Sequence, residues 1–124
     1  MKVAVPVESK SLDISIFPSF GRTAFFVLYD TQTDCHEFLD NSAAASQGGA
    51  GIKAAQMLVD HGTQAIITHR CGNNAAQVLN AAKIKMYQAQ NGSVAENIDM
   101  LKKGTLPLLS EIHPGFHNHG GGKS

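Results

Sequence analysis

The chain has 124 residues, of which 43% are apolar, and its 10 lysine and arginine residues balance its 10 aspartate and glutamate residues. This length suits one folded domain with its own core, and the neutral charge gives no overall attraction to nucleic acid or to an anionic membrane. No apolar run reaches the roughly 18 residues of a membrane span, and the apolar part of the N-terminus is too short for a signal peptide. We therefore expect a cytoplasmic protein whose two cysteines are free thiols or metal ligands.

The first third of the chain predicts a strand followed by a hairpin. The segment KVAVPV (2–7) is almost wholly apolar, which is typical of a buried strand. An irregular polar stretch over 8–22 follows it and contains proline and glycine breakers. The segments TAFFVLYD (23–30) and CHEFLD (35–40) are separated by the turn TQTD, so they predict two antiparallel strands.

Three helices are predicted by apolar residues that recur at helical spacing. The first helix follows a loop of small residues over 41–51 and ends at a glycine. Asn73 or Asn74 is the expected N-cap of the second helix, and Ser93 with Glu96 forms a capping box at the start of the third. The three predicted apolar faces consist of Ile52, Ala55 and Val59, of Ala75, Leu79 and Ala82, and of Val94, Ile98 and Leu101.

Two more short strands, QAIIT (64–68) and IKMYQ (84–88), stand between these helices. The predicted order is a strand, a hairpin, and then helices that alternate with strands. This order predicts an α/β fold with a mixed sheet whose parallel part is covered by helices. We expect the folded domain to span residues 1–110, because the segment 111–124 has no periodicity and is interpreted as a flexible His/Gly-rich tail.

A histidine, an arginine and a cysteine stand where the fourth predicted strand turns into a helix, in the order His69-Arg70-Cys71-Gly72-Asn73. Ligands of parallel α/β sheets bind beyond the carboxyl ends of the strands. Backbone N–H groups at a helix start favour anions and can lower the pKa of a cysteine, and a thiolate is a competent ligand for a soft metal. The alternative is a simple turn with a buried, inert cysteine, and the residues alone leave both readings open.

A glycine-rich loop over 48–51 precedes the first predicted helix. Gly49, Gly51 and Ala54 match the dinucleotide pattern G-x-G-x-x-A loosely. The preceding strand ends too early, near Asp40, and the next strand is not followed by the acidic residue that would hold a ribose. The loop therefore favours a different anion, held through the backbone N–H groups of Gly48, Gly49 and Gly51.

The end of the chain and the third strand contain further candidate ligands. His113, His117 and His119 stand among glycines, and three imidazoles on such a segment can wrap a divalent ion. A tail that binds metal adventitiously is the alternative. Cys35 and His36 are neighbours in a predicted strand and face opposite ways, so Cys35 is interpreted as structural.

Several long segments together resemble the dinitrogenase iron–molybdenum cofactor biosynthesis family, and within it the small stand-alone, orange-protein-like members. The segments are IFPSFGRTAFFVLYD, SQGGAGIKAAQMLVDHGTQAIIT and CGNNAAQVLNAAKIKMYQAQNGSVAENIDMLKKGTL, followed by the His/Gly-rich end. The resemblance implies a ribonuclease-H-like motif, with a five-strand mixed sheet and three helices. It also implies non-enzymatic binding or carriage of a metal–sulfur cluster, such as an iron–molybdenum cofactor precursor, an iron–sulfur cluster or a molybdenum–copper sulfide.

The turn after the fourth strand often reads Gly-Asn-Cys-Gly-Pro-Asn in this family. Here Cys71 and Gly72 are kept, Asn73 replaces the proline, and His69-Arg70 replaces Gly-Asn. The resemblance therefore supports a ligand role for Cys71. His69 and Arg70 add a second possible ligand and a positive charge that are peculiar to this chain.

The predicted site is a shallow pocket in a metal-cluster-binding domain, with cluster donor and acceptor proteins as the expected partners. The residues expected to hold the charge of the cluster are Gly48, Gly49, Gly51, Arg70, Gly72 and Asn73, and the candidate metal ligands are Cys71, His69, His113, His117 and His119. One alternative is a thiol-dependent enzyme that uses the cysteine and histidine of the turn, although no partner that would orient the base is evident. Another is a regulatory interaction domain. A nuclease is disfavoured, because the first strand carries no carboxylate for a two-metal site.

Overall fold

A computed structural model describes residues 1–45 and 48–109. The strands are β1 (Lys2–Val7), β2 (Phe25–Asp30), β3 (His36–Asp40), β4 (Ala65–Thr68) and β5 (Lys85–Gln88), and the helices are α1 (Ala50–Asp60), α2 (Asn73–Ala81) and α3 (Val94–Lys102), with a 3-10 turn at Ser42–Ala45. The predicted tail over 111–124, with His113, His117 and His119, lies outside the described residues. Across the two described ranges, no helix combines the length and the apolar character needed to cross a membrane.

The strands form one five-stranded mixed sheet in the order β3-β2-β1-β4-β5, which confirms the predicted α/β fold. The strand β1 pairs with β2 antiparallel and with β4 parallel, and β5 continues the parallel part. Residues 106–109 run along the outer side of β5, where the Gln88 N–H donates to the Pro107 carbonyl at 2.8 Å and the Leu109 N–H donates to the Met86 carbonyl at 2.9 Å. That edge of the sheet is therefore covered by the chain itself.

The sheet separates two apolar cores. On one face, Ala4, Phe26 and Ile66 pack against α1 and α2. On the other face, Val5 and Ile67 pack against α3. Successive residues of a strand face opposite sides, so the apolar run of β1 supplies both cores. Burial of each large side chain from water stabilises the fold by about 1.5–3 kcal/mol.

The buried face of α1 differs from the predicted one. The helix begins at Ala50 rather than at Ile52, and Ile52 is 39% exposed. The buried residues are Ala50, Ala54, Ala55 and Leu58. Small side chains face the core here because α1 and α2 pack closely: a Cβ atom on Gly51 would lie 3.3 Å from the Cβ atom of Ala75. The prediction is therefore wrong for Ile52, whereas Ala55 is buried and Val59 is half-buried against the same core.

Three other local predictions are wrong, and one is confirmed. Gly72, not an asparagine, is the N-cap of α2, and Ala82 is exposed beyond the end of that helix. Cys35 precedes β3 and is an exposed free thiol, so it has no structural role in the core. The capping box of α3 is confirmed, because the Glu96 N–H donates to Ser93 Oγ at 3.1 Å and the Ser93 N–H donates to Glu96 Oε1 at 2.7 Å.

Candidate functional site

A cleft of about 860 Å³ opens beside the carboxyl end of β4. Three segments line it: residues 18–22 of the loop after β1, residues 49–52 at the start of α1, and residues 70–75, which lead from β4 into α2. Both helices run opposite to the parallel strands, so both of their N-termini lie at the carboxyl edge of the sheet. This is the edge at which open α/β sheets bind their ligands.

The first turns of α1 and α2 are suited to an anion. Their N-caps are glycines, Gly49 with a φ of 70° and Gly72 in an extended conformation. Among the described residues no side chain caps either helix, and neither first turn contains an acidic residue. The helix α3, which does not line the cleft, has its first N–H groups already bonded, to carbonyls of the loop before β2 and to the side chain of Ser93. Each helix start carries roughly half a positive elementary charge, and two such ends meet at one cleft.

Close packing brings these two helix starts together. Gly51 lies against Ala75, the third residue of α2, and Ala54, Ala55 and Ala76 are buried between the helices and the sheet. Larger side chains at these positions would separate the two N-termini. The parallel helix dipoles repel each other at this end, and an anion bound between them relieves that repulsion.

The loop over 18–22 forms the opposite wall through contact between backbones. A Cβ atom on Gly21 would lie 2.9 Å from the Gly51 nitrogen and 3.0 Å from its Cα atom, so a side chain at position 21 has no room. The Asn41 Nδ2 group donates to the carbonyls of Gly21 at 3.2 Å and of Thr23 at 2.9 Å. The Thr23 hydroxyl in turn donates to the Val7 carbonyl at 2.7 Å. The wall is thereby tied to β1.

The lining of the cleft is cationic and partly apolar. Arg22 and Arg70 belong to it, whereas none of the described lining residues is acidic. One guanidinium nitrogen of Arg22, Nη1, donates to the Ala44 carbonyl at 2.8 Å, which holds the side chain beside the wall. Phe20 and Ile52 supply apolar surface, and the Phe20 ring packs on Phe26 with 5.2 Å between centroids. An anion with a weakly hydrated surface matches this combination of charge and apolar contact.

Cys71 lies in the same cleft but is not a reactive thiolate. Its side chain is 1% exposed, and burial raises the pKa of the thiol to about 11. The sequence predicts that the helix start can lower this pKa, whereas in the structure burial disfavours the thiolate and raises it. At neutral pH the group is a protonated thiol, packed in the core that lies beneath α1 and α2.

The structure brings together most of the predicted site residues. The cleft is lined by Gly49, Gly51, Arg70, Cys71, Gly72 and Asn73, but not by Gly48 or His69. His69 is half-buried, and its carbonyl accepts a hydrogen bond from Gln88 Nε2 at 3.3 Å. Within residues 1–45 and 48–109, no group of three or more His, Cys, Asp or Glu side chains could hold a metal ion.

Sequence reasoning missed the wall formed by residues 18–22, and above all Arg22. The signal was present in the segment SFGR, where a glycine stands between an aromatic residue and an arginine shortly after a buried strand. A glycine in such a loop often marks a close approach of two backbones. What the segment alone could not indicate was that the approaching partner is Gly51.

Known proteins are similar to this chain in sequence and in fold. The sequence model of the family described as dinitrogenase iron-molybdenum cofactor matches residues 1–104. An uncharacterised protein of Methanocaldococcus jannaschii is 28% identical over 109 residues, which cover 86% of this chain and 89% of that protein.

Two solved structures are similar over nearly their whole length. The apo form of the orange protein from Desulfovibrio gigas is 35% identical with a TM-score of 0.83, and the match covers 88% of this chain and 92% of that one. A putative NifB protein from Thermotoga is 34% identical with a TM-score of 0.78, covering 96% of this chain and 98% of the other. The chain therefore belongs to the dinitrogenase iron–molybdenum cofactor family and is similar within it to the orange protein.

Proposed function

We propose that this protein binds an anionic metal–sulfur cluster in the cleft and carries it between a donor and an acceptor protein without catalysing a reaction. The cluster would be an iron–molybdenum cofactor precursor, an iron–sulfur cluster or a molybdenum–copper sulfide. The observation that carries the proposal is the meeting of two glycine-capped helix starts at one cleft that also holds Arg22 and Arg70. Membership of the dinitrogenase iron–molybdenum cofactor family supports a metal–sulfur cluster as the cargo.

A sulfur-rich cluster matches the lining better than a nucleotide does. The charge of a thiometallate is spread over large sulfide atoms that accept N–H hydrogen bonds, and Phe20 and Ile52 offer apolar contact to the same surface. The loose dinucleotide pattern begins at Gly49, which follows a 3-10 turn at Ser42–Ala45 rather than a strand. The strand–turn–helix context that a dinucleotide fingerprint requires is therefore missing from this part of the described chain.

The geometry argues against a thiol-dependent enzyme. Such an enzyme needs a thiol with a low pKa and a base within hydrogen-bonding reach. Burial raises the pKa of Cys71 to about 11, and His69 does not line the cleft. These two observations favour binding over catalysis.

In the binding mode that we propose, the cluster enters as an intact anion. The first-turn N–H groups of α1 and α2 donate to its sulfides, the two arginines balance its charge, and Cys71 contributes a neutral thiol to the cleft. No bond between a metal and a thiolate is needed. The ligand role predicted for Cys71 from the sequence stays a prediction. The two modes differ in how the binding affinity depends on pH.

The proposed function is tested by anaerobic titration of the protein with a preformed thiomolybdate–copper cluster. We expect saturable charge-transfer bands in the visible spectrum. Arg22→Ala and Arg70→Ala should each weaken binding by roughly tenfold at low salt, as a lost charge-assisted hydrogen bond does, and by less at high salt. Lys85→Ala, an exposed cation at the far end of β5, is the control that should bind normally. Failure to saturate, together with tight binding of ATP or NAD, would overturn the proposal.

The role of Cys71 is tested by the pH dependence of the same titration. We expect the affinity to change by less than about threefold between pH 7 and pH 9, because in the proposed binding mode the Cys71 thiol keeps its proton and binding releases none. If Cys71 bound a metal as a thiolate, each binding event would release a proton, and affinity would rise about tenfold per pH unit. If the affinity rose this steeply with pH in the unmodified protein and in Cys35→Ala but not in Cys71→Ala, ligation by Cys71 would be established instead.

A further inference from the structure

The strand β3 is an edge of the sheet that the described residues leave unpaired on its outer side. It is the last strand in the order β3-β2-β1-β4-β5, whereas residues 106–109 cover the opposite edge. Proteins commonly protect such edges with lysine, proline or a bulge. The strand His36–Asp40 contains neither lysine nor proline, and its pairing with β2 is regular from end to end.

The hydrogen bonds of the hairpin determine which backbone groups face outward. The Asp30 N–H donates to the Cys35 carbonyl at 2.9 Å, and the Asn41 N–H donates to the Ala24 carbonyl at 3.0 Å. Because bonded and non-bonded pairs alternate in an antiparallel ladder, positions 37 and 39 also bond to β2. The N–H and C=O groups of His36, Phe38 and Asp40 therefore point away from the sheet.

We propose that β3 pairs antiparallel with β3 of a second copy of this chain, about a twofold axis at Phe38. In this register Phe38 stands opposite Phe38 of the second copy, and His36 stands opposite its Asp40. Every outward-facing residue then meets another outward-facing residue, so each can exchange both of its backbone hydrogen bonds. The two five-stranded sheets become one continuous sheet.

Other registers of the same pairing are less complete. An axis at Leu39 leaves the outward groups of His36 without a strand partner. An axis at Glu37 leaves those of Asp40 without one, and it also places two Glu37 carboxylates opposite each other, which is unfavourable. The sequence of β3 is thus self-complementary in one antiparallel register.

The side chains on one face of the hairpin support the same register. The His36 ring stacks on Tyr29, with centroids 6.2 Å apart and planes 8° apart, and meets the Phe38 ring edge-on at 5.4 Å. Pairing about Phe38 continues this aromatic row into the second copy, because opposite residues of an antiparallel pair share a face. At each end an imidazole faces a carboxylate, which is a complementary hydrogen-bonding pair. His36 and Asp40 are exposed and Phe38 is half-buried, so all three are accessible to a partner.

The proposed interface does not use the cleft, because no residue of β3 lines it. The interface consists of one short strand from each copy, and the surface area that it buries is well below that of a permanent dimer. We therefore expect a reversible dimer with a Kd in the micromolar to millimolar range.

Sedimentation equilibrium over that concentration range tests the association. Phe38→Lys places two ammonium groups opposite each other across the axis, and we expect it to remain monomeric; Gln32→Lys adds the same charge in the exposed turn between β2 and β3 and should dimerise normally. His36→Asp places two carboxylates opposite each other at each end of the strand pair and should weaken the dimer. Adding Asp40→His to this variant restores an imidazole opposite each carboxylate and should restore association. The proposal would be contradicted if the unmodified protein stayed monomeric at millimolar concentration. It would also be contradicted if the variant that combines His36→Asp with Asp40→His did not associate again.

Amide hydrogen exchange distinguishes a dimer that pairs through β3 from a dimer that uses another surface. The N–H groups of His36, Phe38 and Asp40 should exchange rapidly in dilute protein and become protected as its concentration rises. Those of Glu37 and Leu39 should be protected at every concentration, because they already bond to β2. A dimer without this alternating pattern would use a different surface, and the assignment of β3 would be wrong.

Discussion

Replacing Asn74 with aspartate should weaken cluster binding by roughly tenfold or more while raising the free energy of unfolding by about 0.3–1 kcal/mol. Asn74 is the second residue of α2, is exposed and lines the cleft. A carboxylate at this position complements the helix dipole and so stabilises the fold. It also repels an anionic cluster and competes for the N–H groups that would bind it. Cluster titration and urea denaturation of the same sample measure the two opposite effects.

Asn80→Asp is the matched control, because it makes the same chemical change at the other end of α2. Asn80 is exposed, lies in the last turn and does not line the cleft. A carboxylate there opposes the helix dipole, so the free energy of unfolding should fall by a similar amount while cluster binding stays unchanged. Normal cluster binding by Asn74→Asp would show that the start of α2 is not where the anion binds.

The order and type of the elements were predictable because they depend on short-range patterns. An apolar run with a β-rich composition predicts β1, and the capping box of Ser93 and Glu96 marks the start of α3. The buried face of α1 was not predictable in the same way. Apolar periodicity predicts that Ile52 is buried in preference to the alanines. The close approach of α1 to α2 favours small side chains instead, and Ile52 is exposed.

The candidate site was partly predictable for a related reason. Residues 70–73 follow a parallel strand directly, and the general rule for such sheets places ligands there. The wall over 18–22 comes from a loop distant in sequence, and only the tertiary contact between Gly21 and Gly51 brings it to the cleft. Cys71 shows the same limit: its position beside a helix start suggests a low pKa, whereas its burial, which depends on the whole core, raises the pKa to about 11.

Gly21→Ala should lower the free energy of unfolding by about 1–3 kcal/mol, the usual cost of forcing an extra group into a packed site. The added Cβ atom would lie 2.9 Å from the backbone nitrogen of Gly51, and a backbone atom cannot turn aside as a flexible side chain can. The loop over 18–22 must therefore move away from α1 and strain the hydrogen bonds that Asn41 donates to Gly21 and Thr23. Thermal or urea denaturation measures this loss.

The same substitution should weaken cluster binding by roughly tenfold, because the displaced loop carries Arg22 away from the helix starts and a charge-assisted contact of this kind contributes about that factor. Gly48→Ala is the matched control: no described atom lies within 4 Å of its added Cβ atom, and Gly48 does not line the cleft. It should change neither stability nor binding. If Gly21→Ala lost stability but bound the cluster normally, the wall over 18–22 would be a structural support only, and the anion would be held by the two helix starts and Arg70 alone.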